Sequence, residues 1–209
     1  FFKKTKVDAL AISYGTKHGA NKGANTVIRK EIAIATKECM RHEGIDGVLV
    51  SHGSSTVPQY IVKEINALGG DVQNAYGIKI EQLQEVAKCG IGKINVDTDI
   101  RLAVTRNFRE LFRDKPSLKN SPSIGPVYEL MVKNPSAFDP RVFLPPVMDA
   151  VMYGNINDDD TRLLFERMEA GVKEAVGSLI IQFGSYGKAP LVELVTLDEM
   201  AERYKKAGI

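Results

Sequence analysis

An α/β fold with a parallel sheet is the class this sequence predicts, and three observations predict it. Short apolar runs end in polar turns marked by glycine or aspartate. Stretches with helical spacing fill the gaps between them. Over the first half of the chain the order is strand, helix, strand, helices, strand, helix. That alternation implies parallel strands joined by right-handed crossovers.

The first predicted strand is Val7 to Tyr14, ending at Gly15. The second is Gly47 to Ser51, running into His52-Gly53. The third is Gly92 to Val96, running into Asp97-Thr98. None alternates cleanly between apolar and polar residues, as expected of strands covered on both faces. Between them, helices are expected from about Thr26 to Arg41, from Val57 to Leu68 with Pro58 in its first turn, and from Ile80 to Cys89. Glycines follow each of these segments, where a helix needs a stop. Asp99 to Arg113 carries a broad apolar stripe of Ile100, Leu102, Ala103, Phe108, Leu111 and Phe112.

Beyond about Asp114 the pattern changes. The stretch DKPSLKNSPSIGP is expected to be a polar, Pro-rich loop. Segments Val127–Lys133, Pro140–Tyr153 and Asp159–Val176 follow. The run Asp158-Asp159-Asp160 sits where a helix N-terminus favours negative charge. Thr196-Leu197-Asp198-Glu199 reads as a capping box before a short helix ending at Gly208. Three strands cannot close a barrel, and eight βα units take about 250 residues. The chain therefore reads as the last three units of a (β/α)8 TIM barrel, residues 1–114, plus a C-terminal helical extension, residues 115–209. The extension is expected to pack on the barrel and at a subunit interface. The first residue is not Met and lies almost inside a strand, which suggests the later part of a longer protein.

Composition narrows the function. Of 209 residues, 44% are hydrophobic and 26% charged, an ordinary globular balance. Lys+Arg 28 against Asp+Glu 26 gives +2, so no basic field for nucleic acid is present. Two cysteines, Cys39 and Cys89, make no disulfide framework and show no metal spacing. No apolar run approaches the roughly 20 residues of a membrane helix, and the opening residues lack a signal-peptide pattern. A cytoplasmic protein with neither a nucleic-acid nor a membrane partner is the expectation.

Active sites of such barrels lie at the C-terminal ends of the strands. His18 and His52 each follow a strand, and each precedes a glycine. Adjacent strands lie about 4.8 Å apart, so both imidazoles could reach one ion such as Zn²⁺. Hydrogen-bonding loop residues are the other reading of that pair. His42, in Arg41-His42-Glu43, reads as a surface residue. Gly19 and Gly53 remove a Cβ where backbone N–H groups would approach an anion. Ser54, Ser55 and Thr98 add hydroxyls, Lys22 and Arg101 add charge, and a helix N-terminus points at the same place.

At this point the motifs carry a resemblance. Ile12-Ser13-Tyr14-Gly15-Thr16-Lys17-His18-Gly19 with Lys22, Leu49-Val50-Ser51-His52-Gly53-Ser54-Ser55-Thr56-Val57-Pro58, and Lys93-Ile94-Asn95-Val96-Asp97-Thr98-Asp99-Ile100-Arg101 resemble the sixth-, seventh- and eighth-strand motifs of class II, metal-dependent fructose-bisphosphate aldolases. Asn134-Pro135-Ser136-Ala137-Phe138-Asp139-Pro140-Arg141 and Gln182-Phe183-Gly184-Ser185 resemble the C-terminal region of the type B branch. Lys115–Gly125 looks like an insertion relative to the shorter type B enzymes.

The resemblance implies a (β/α)8 barrel, a homo-dimer or tetramer, and reversible cleavage of fructose 1,6-bisphosphate to dihydroxyacetone phosphate and glyceraldehyde 3-phosphate. It implies His18 and His52 as two of three Zn²⁺ ligands, with a monovalent cation as a further candidate near Gly19. It makes Gly19, Gly53 and Ser55 contacts to the phosphate of dihydroxyacetone phosphate, with Lys22 in support. Asn95 becomes the catalytic residue at the carbonyl or enediolate, followed by the polar pair Asp97 and Thr98. Arg101 would hold the phosphate at the aldehyde end across a subunit interface, and Asp139 would orient that arginine in a neighbour. The third zinc histidine and the proton-transfer aspartate of the family lie on earlier strands. Arg101 favours fructose over tagatose bisphosphate. The alternatives are a tagatose-bisphosphate aldolase, an inactive fragment with a structural role, and a phosphate-binding barrel of different chemistry.

Overall fold

The structure, a computed structural model, describes residues 1–23 and 25–208. A parallel sheet of order β1-β2-β3 forms from β1 (Ala9–Ala11), β2 (Val48–Ser51) and β3 (Ile91–Ile94). Leu49 pairs with Ile91 and Val50 with Lys93, so β3 spends one extra residue, Gly92, at that step. A strand glycine often marks such a bulge. The Gly92 hydrogen also faces Val48, where a Cβ would come within 3.0 Å of Cγ1.

The strands are shorter than the sequence implies, and only the middle one is well covered. Leu49, Val50 and Ser51 are buried, whereas Ala9, Ala11, Gly92 and Lys93 are exposed. The expectation of burial on both faces therefore fails for β1 and β3. Among the described residues each has one hydrogen-bonded neighbour strand, β2.

Most helices lie close to their expected places. α1 (Phe2–Thr5) was not anticipated. α2 (Lys30–His42) starts four residues later than the periodicity suggests. The reason is tertiary: Arg29 N–H donates to the Tyr14 carbonyl at 2.7 Å and Ile28 N–H to Gln82 Oε1 at 2.9 Å. Those bonds hold the chain extended where local propensity would allow another helical turn. α3 (Gln59–Ala67) has Pro58 as its N-cap, and α4 (Ile80–Lys88) and α5 (Thr98–Asp114) follow as expected.

The stretch 114–126 corrects the sequence reading. Pro116–Asn120 is a 3₁₀ helix, and α6 (Gly125–Lys133) begins inside the expected loop. Leu118 and Ile124 enter one apolar cluster with Phe108, Phe112, Val127 and Phe143. The serines are used too: Ser121 donates to Asp160 at 2.6 Å and Ser123 to Asp158 at 2.8 Å. Segment 140–153 divides into two 3₁₀ turns and α7 (Met148–Tyr153).

α8 (Asp159–Gln182) outruns its expected end at Val176. Its stop is Gly184, at φ +70, with Ser185 N–H on the Ile180 carbonyl at 2.9 Å. Asp158 caps the other end through Thr161 N–H at 2.8 Å. α8 lies against α5, and Gly171 sets the approach: a Cβ there would be 2.9 Å from the Ala103 carbonyl. The capping box of α9 (Leu197–Ala207) is present, with Gly208 left-handed after it. The described extension ends at Gly208. Among the described residues no helix is long and apolar enough to cross a membrane.

Candidate active site

Three turns at the C-terminal ends of β1, β2 and β3 meet around a cleft of about 260 Å³. The structure brings His18, Gly19, Lys22, His52, Gly53, Ser55, Asn95, Asp97 and Thr98 to its walls. The imidazoles of His18 and His52 lie with ring centroids 4.5 Å apart, tilted by 56°. Both residues are exposed, so neither is a core histidine.

Backbone geometry makes the cleft an anion cradle. Gly19 and Gly53 have φ +93 and +70, a region that glycine enters without penalty. At Gly53 the turns nearly touch: a Cβ would lie 3.0 Å from the Lys17 carbonyl carbon. Among the described residues the N–H groups of Gly19, Gly53 and Ser55 have no acceptor. Ser55 Oγ accepts from Asp97 and Thr98 N–H at 3.2 and 3.0 Å and so caps α5. The positive end of that helix is therefore directed at the cleft.

Lys22 is only 7% exposed. Its ammonium donates to the Gly53 carbonyl at 2.8 Å and to the Lys17 carbonyl, tying the first turn to the second. Burial pushes its pKa down, Asp99 pulls it up, and Lys17 pushes it down again. Asn95 N–H donates to the Ser51 carbonyl at 2.9 Å, and its own carbonyl accepts from Ser54 N–H at 3.1 Å. Its side-chain oxygen accepts from Lys93.

Three expected site residues are not at this cleft. Ser54 is fully buried beneath it, in a hydroxyl chain Tyr14–Ser51–Ser54. Its backbone N–H donates to the Asn95 carbonyl and its hydroxyl bonds Ser51, so in this structure neither group faces the cleft. Arg101 lies along α5, outside the lining residues. Its guanidinium grips Asp97 at 2.7 Å and also pairs with Asp139. Asp139 in turn accepts from Arg141 at 2.6 Å. The acid thus holds Arg101 of its own chain. His42 ends α2, exposed and remote from the cleft lining.

Sequence reasoning missed two supports. Tyr14 anchors the hydroxyl chain, and burial raises its phenol pKa while the Ser51 bond lowers it. Asp99 is 2% exposed and accepts from Thr56 N–H, Thr56 Oγ1 and Val57 N–H. Burial pushes its carboxyl up, against those bonds and Lys22. The available signal was polar residues at strand and helix positions that the fold must bury.

A family model described as "Fructose-bisphosphate aldolase class-II" matches residues 1–188. Fructose-bisphosphate aldolase 2 of Cereibacter sphaeroides is 34% identical over 209 residues, 100% of this chain and 48% of the relative. Fructose-bisphosphate aldolase of Xanthobacter flavus is 36% identical over 204 residues, 98% of this chain and 46% of the relative. Fructose-bisphosphate aldolase class 2 of Synechocystis is 34% identical over 209 residues, 100% of this chain and 47% of the relative. The chain spans about half the length of the curated relatives it matches.

Proposed function

The chain belongs to the class-II fructose-bisphosphate aldolase family, and on that premise we propose that it supplies the phosphate-binding wall and two metal ligands of an aldolase site. The reaction is the reversible cleavage of fructose 1,6-bisphosphate to dihydroxyacetone phosphate and glyceraldehyde 3-phosphate. The observation that carries this reading is the His18–His52 pair, 4.5 Å apart, at the rim of a cleft with free backbone donors.

A catalytic zinc takes three protein ligands and keeps an open position. Among the described residues no group of three His, Cys, Asp or Glu could hold a metal. The two histidines are thus part of a ligand set for Zn²⁺, not a whole one. What these residues do is bind and orient. Gly19, Gly53 and Ser55 N–H groups take one phosphate, helped by the α5 N-terminus. Lys22 keeps the two turns at the spacing this requires. Asn95 offers its amide to the oxygen next to the reacting carbon. Arg101, held by Asp97 and Asp139, serves the second phosphate.

Cleavage breaks the C3–C4 bond, takes the proton from the C4 hydroxyl and leaves the electron pair on the dihydroxyacetone phosphate half. Asp97, the carboxylate among the lining residues, is engaged by Arg101, and the resemblance puts the base for that proton on an earlier strand. A homo-oligomer is the assembly that accompanies this reading. The test is cleavage of fructose 1,6-bisphosphate and of tagatose 1,6-bisphosphate, each followed by release of triose phosphate. Faster cleavage of the fructose substrate, lost on His18→Ala or His52→Ala, supports the proposal. Cleavage unaffected by either variant, faster cleavage of the tagatose substrate, or no divalent metal bound through His18 and His52 overturns it.

A further inference from the structure

A second cationic cavity lies between α3, α5 and α6, far from the cleft. It has a volume of about 370 Å³, within the range of small-ligand sites. Arg109 of α5 forms its floor. It is eleven residues beyond Thr98, roughly 16 Å along the helix at 1.5 Å per residue.

Arg109 is 7% exposed, yet it has no ion-pair partner among the described residues. Among the described residues its terminal nitrogens reach only the carbonyls of Leu68 and Met131, both at 3.4 Å, and Nε has no partner. Those two carbonyls lie at the C-terminal ends of α3 and α6, whose dipoles make a guanidinium tolerable there. They do not replace a counter-charge: a buried charge is normally paired. Around the cavity, Lys119 adds a second positive charge. Its ammonium sits 4.9 Å from the Tyr128 ring centroid and makes no ion pair among the described residues. Arg113 also lines the cavity, but Asp114 at 2.8 Å compensates it. Among the described residues no acidic side chain lines the cavity.

We propose that the cavity floored by Arg109 and rimmed by Lys119 binds a small phosphate-bearing ligand. Two uncompensated positive charges match a phosphate dianion better than a single carboxylate. The planar guanidinium presents paired donors to phosphate oxygens, and the flexible lysine adds a point charge. The Tyr128 hydroxyphenyl wall and the Met131 and Val132 side chains leave room for a short organic group beside the phosphate.

The test is a titration followed by amide NMR shifts at constant ionic strength, with inorganic phosphate and glycerol phosphate as probes. The amides of Gly69 and Lys119 report this cavity, and that of Gly53 reports the aldolase-type cleft, so one reading can fail without the other. Saturable shifts at Gly69 and Lys119 are expected, with Lys119→Gln weakening them about tenfold, as loss of one charged hydrogen bond implies, and leaving Gly53 unaffected. Tighter binding of the ester identifies a phosphorylated metabolite as the source. Tighter binding of the free ion identifies inorganic phosphate. Arg109→Lys, which keeps the charge and removes the fork, is expected to weaken both probes. Should that variant fail to fold, Lys119→Gln decides alone. No saturable shift at Gly69 and Lys119, or a shift that Lys119→Gln leaves intact, overturns the site.

Discussion

Asp99 holds Val57 in the left-handed region of backbone space. The Val57 N–H donates to Asp99 Oδ1 at 2.8 Å, and Val57 has φ +52. A β-branched residue is a strong outlier there. The same carboxylate accepts from Thr56 N–H at 3.0 Å and Thr56 Oγ1 at 2.6 Å. The turn that carries Gly53 and Ser55 is thereby pinned to the first turn of α5.

Asp99→Asn keeps the size and removes the charge, and its amide cannot accept all three bonds. We expect a loss of about 2–4 kcal/mol, the scale for breaking a buried charged network. Urea denaturation measures it. An unchanged midpoint would mean that the turn does not depend on Asp99.

Two glycines, one against this turn and one just past α8, respond differently to alanine. At Gly77 a Cβ would sit 2.2 Å from the Thr56 carbonyl carbon and oxygen, both backbone atoms that cannot swing aside. Gly77→Ala is expected to prevent folding or to cost more than about 3 kcal/mol. At Gly184 the φ is +70 but nothing lies within 4 Å. Gly184→Ala is expected to cost about 1 kcal/mol, the left-handed penalty alone. Thermal melts of the two variants compare them directly.

The histidines make the opposite prediction. Both are exposed, so His18→Ala and His52→Ala are expected to leave the unfolding midpoint within about 0.5 kcal/mol. Retained stability combined with lost divalent-metal content in the purified protein is the expected pair of results. A large drop in stability would reassign the pair to a structural role.

Tyr14→Phe removes one hydroxyl from the Tyr14–Ser51–Ser54 chain and leaves the ring packed. Ser51 keeps Ser54 as a partner, so a cost of about 1 kcal/mol is expected. The readout is the difference in urea midpoint from the parent protein.

Acid should weaken the cluster of Arg101, Asp139 and Arg141. Burial raises the Asp139 carboxyl, but hydrogen bonds and charge from Arg141, with charge from Arg101, outweigh it and hold the pKa below its ordinary value. A depressed carboxylate stabilises the fold above its unfolded pKa, and that stability is lost as pH falls through the folded value. The contribution should be complete at neutral pH and disappear below the ordinary carboxylate range. Asp139→Asn should remove that part of the acid limb, about 1 kcal/mol for a pair that is partly solvent-screened.

Much of this protein was legible in its sequence because the information is local. Apolar runs ending in glycine turns gave the strand order, and the Asp99–Arg113 stripe gave α5. Thr196 and Glu199 announced their own capping box. His18, His52, Gly19 and Gly53 stood out because each lies just past a strand end, where chemistry collects. Tertiary structure decided what depends on a distant partner. The Tyr14 carbonyl and Gln82 delayed the start of α2, and packing around Phe112 and Phe143 drew Leu118 and Ile124 out of a stretch that reads as loop. Asn95 took the Ser54 N–H and Ser51 took its hydroxyl, which removed a donor that the sequence offered freely. Local propensity sets which bonds a residue can make. Which bonds it does make is set by the groups that folding brings within 3 Å, and one chain position cannot reveal those.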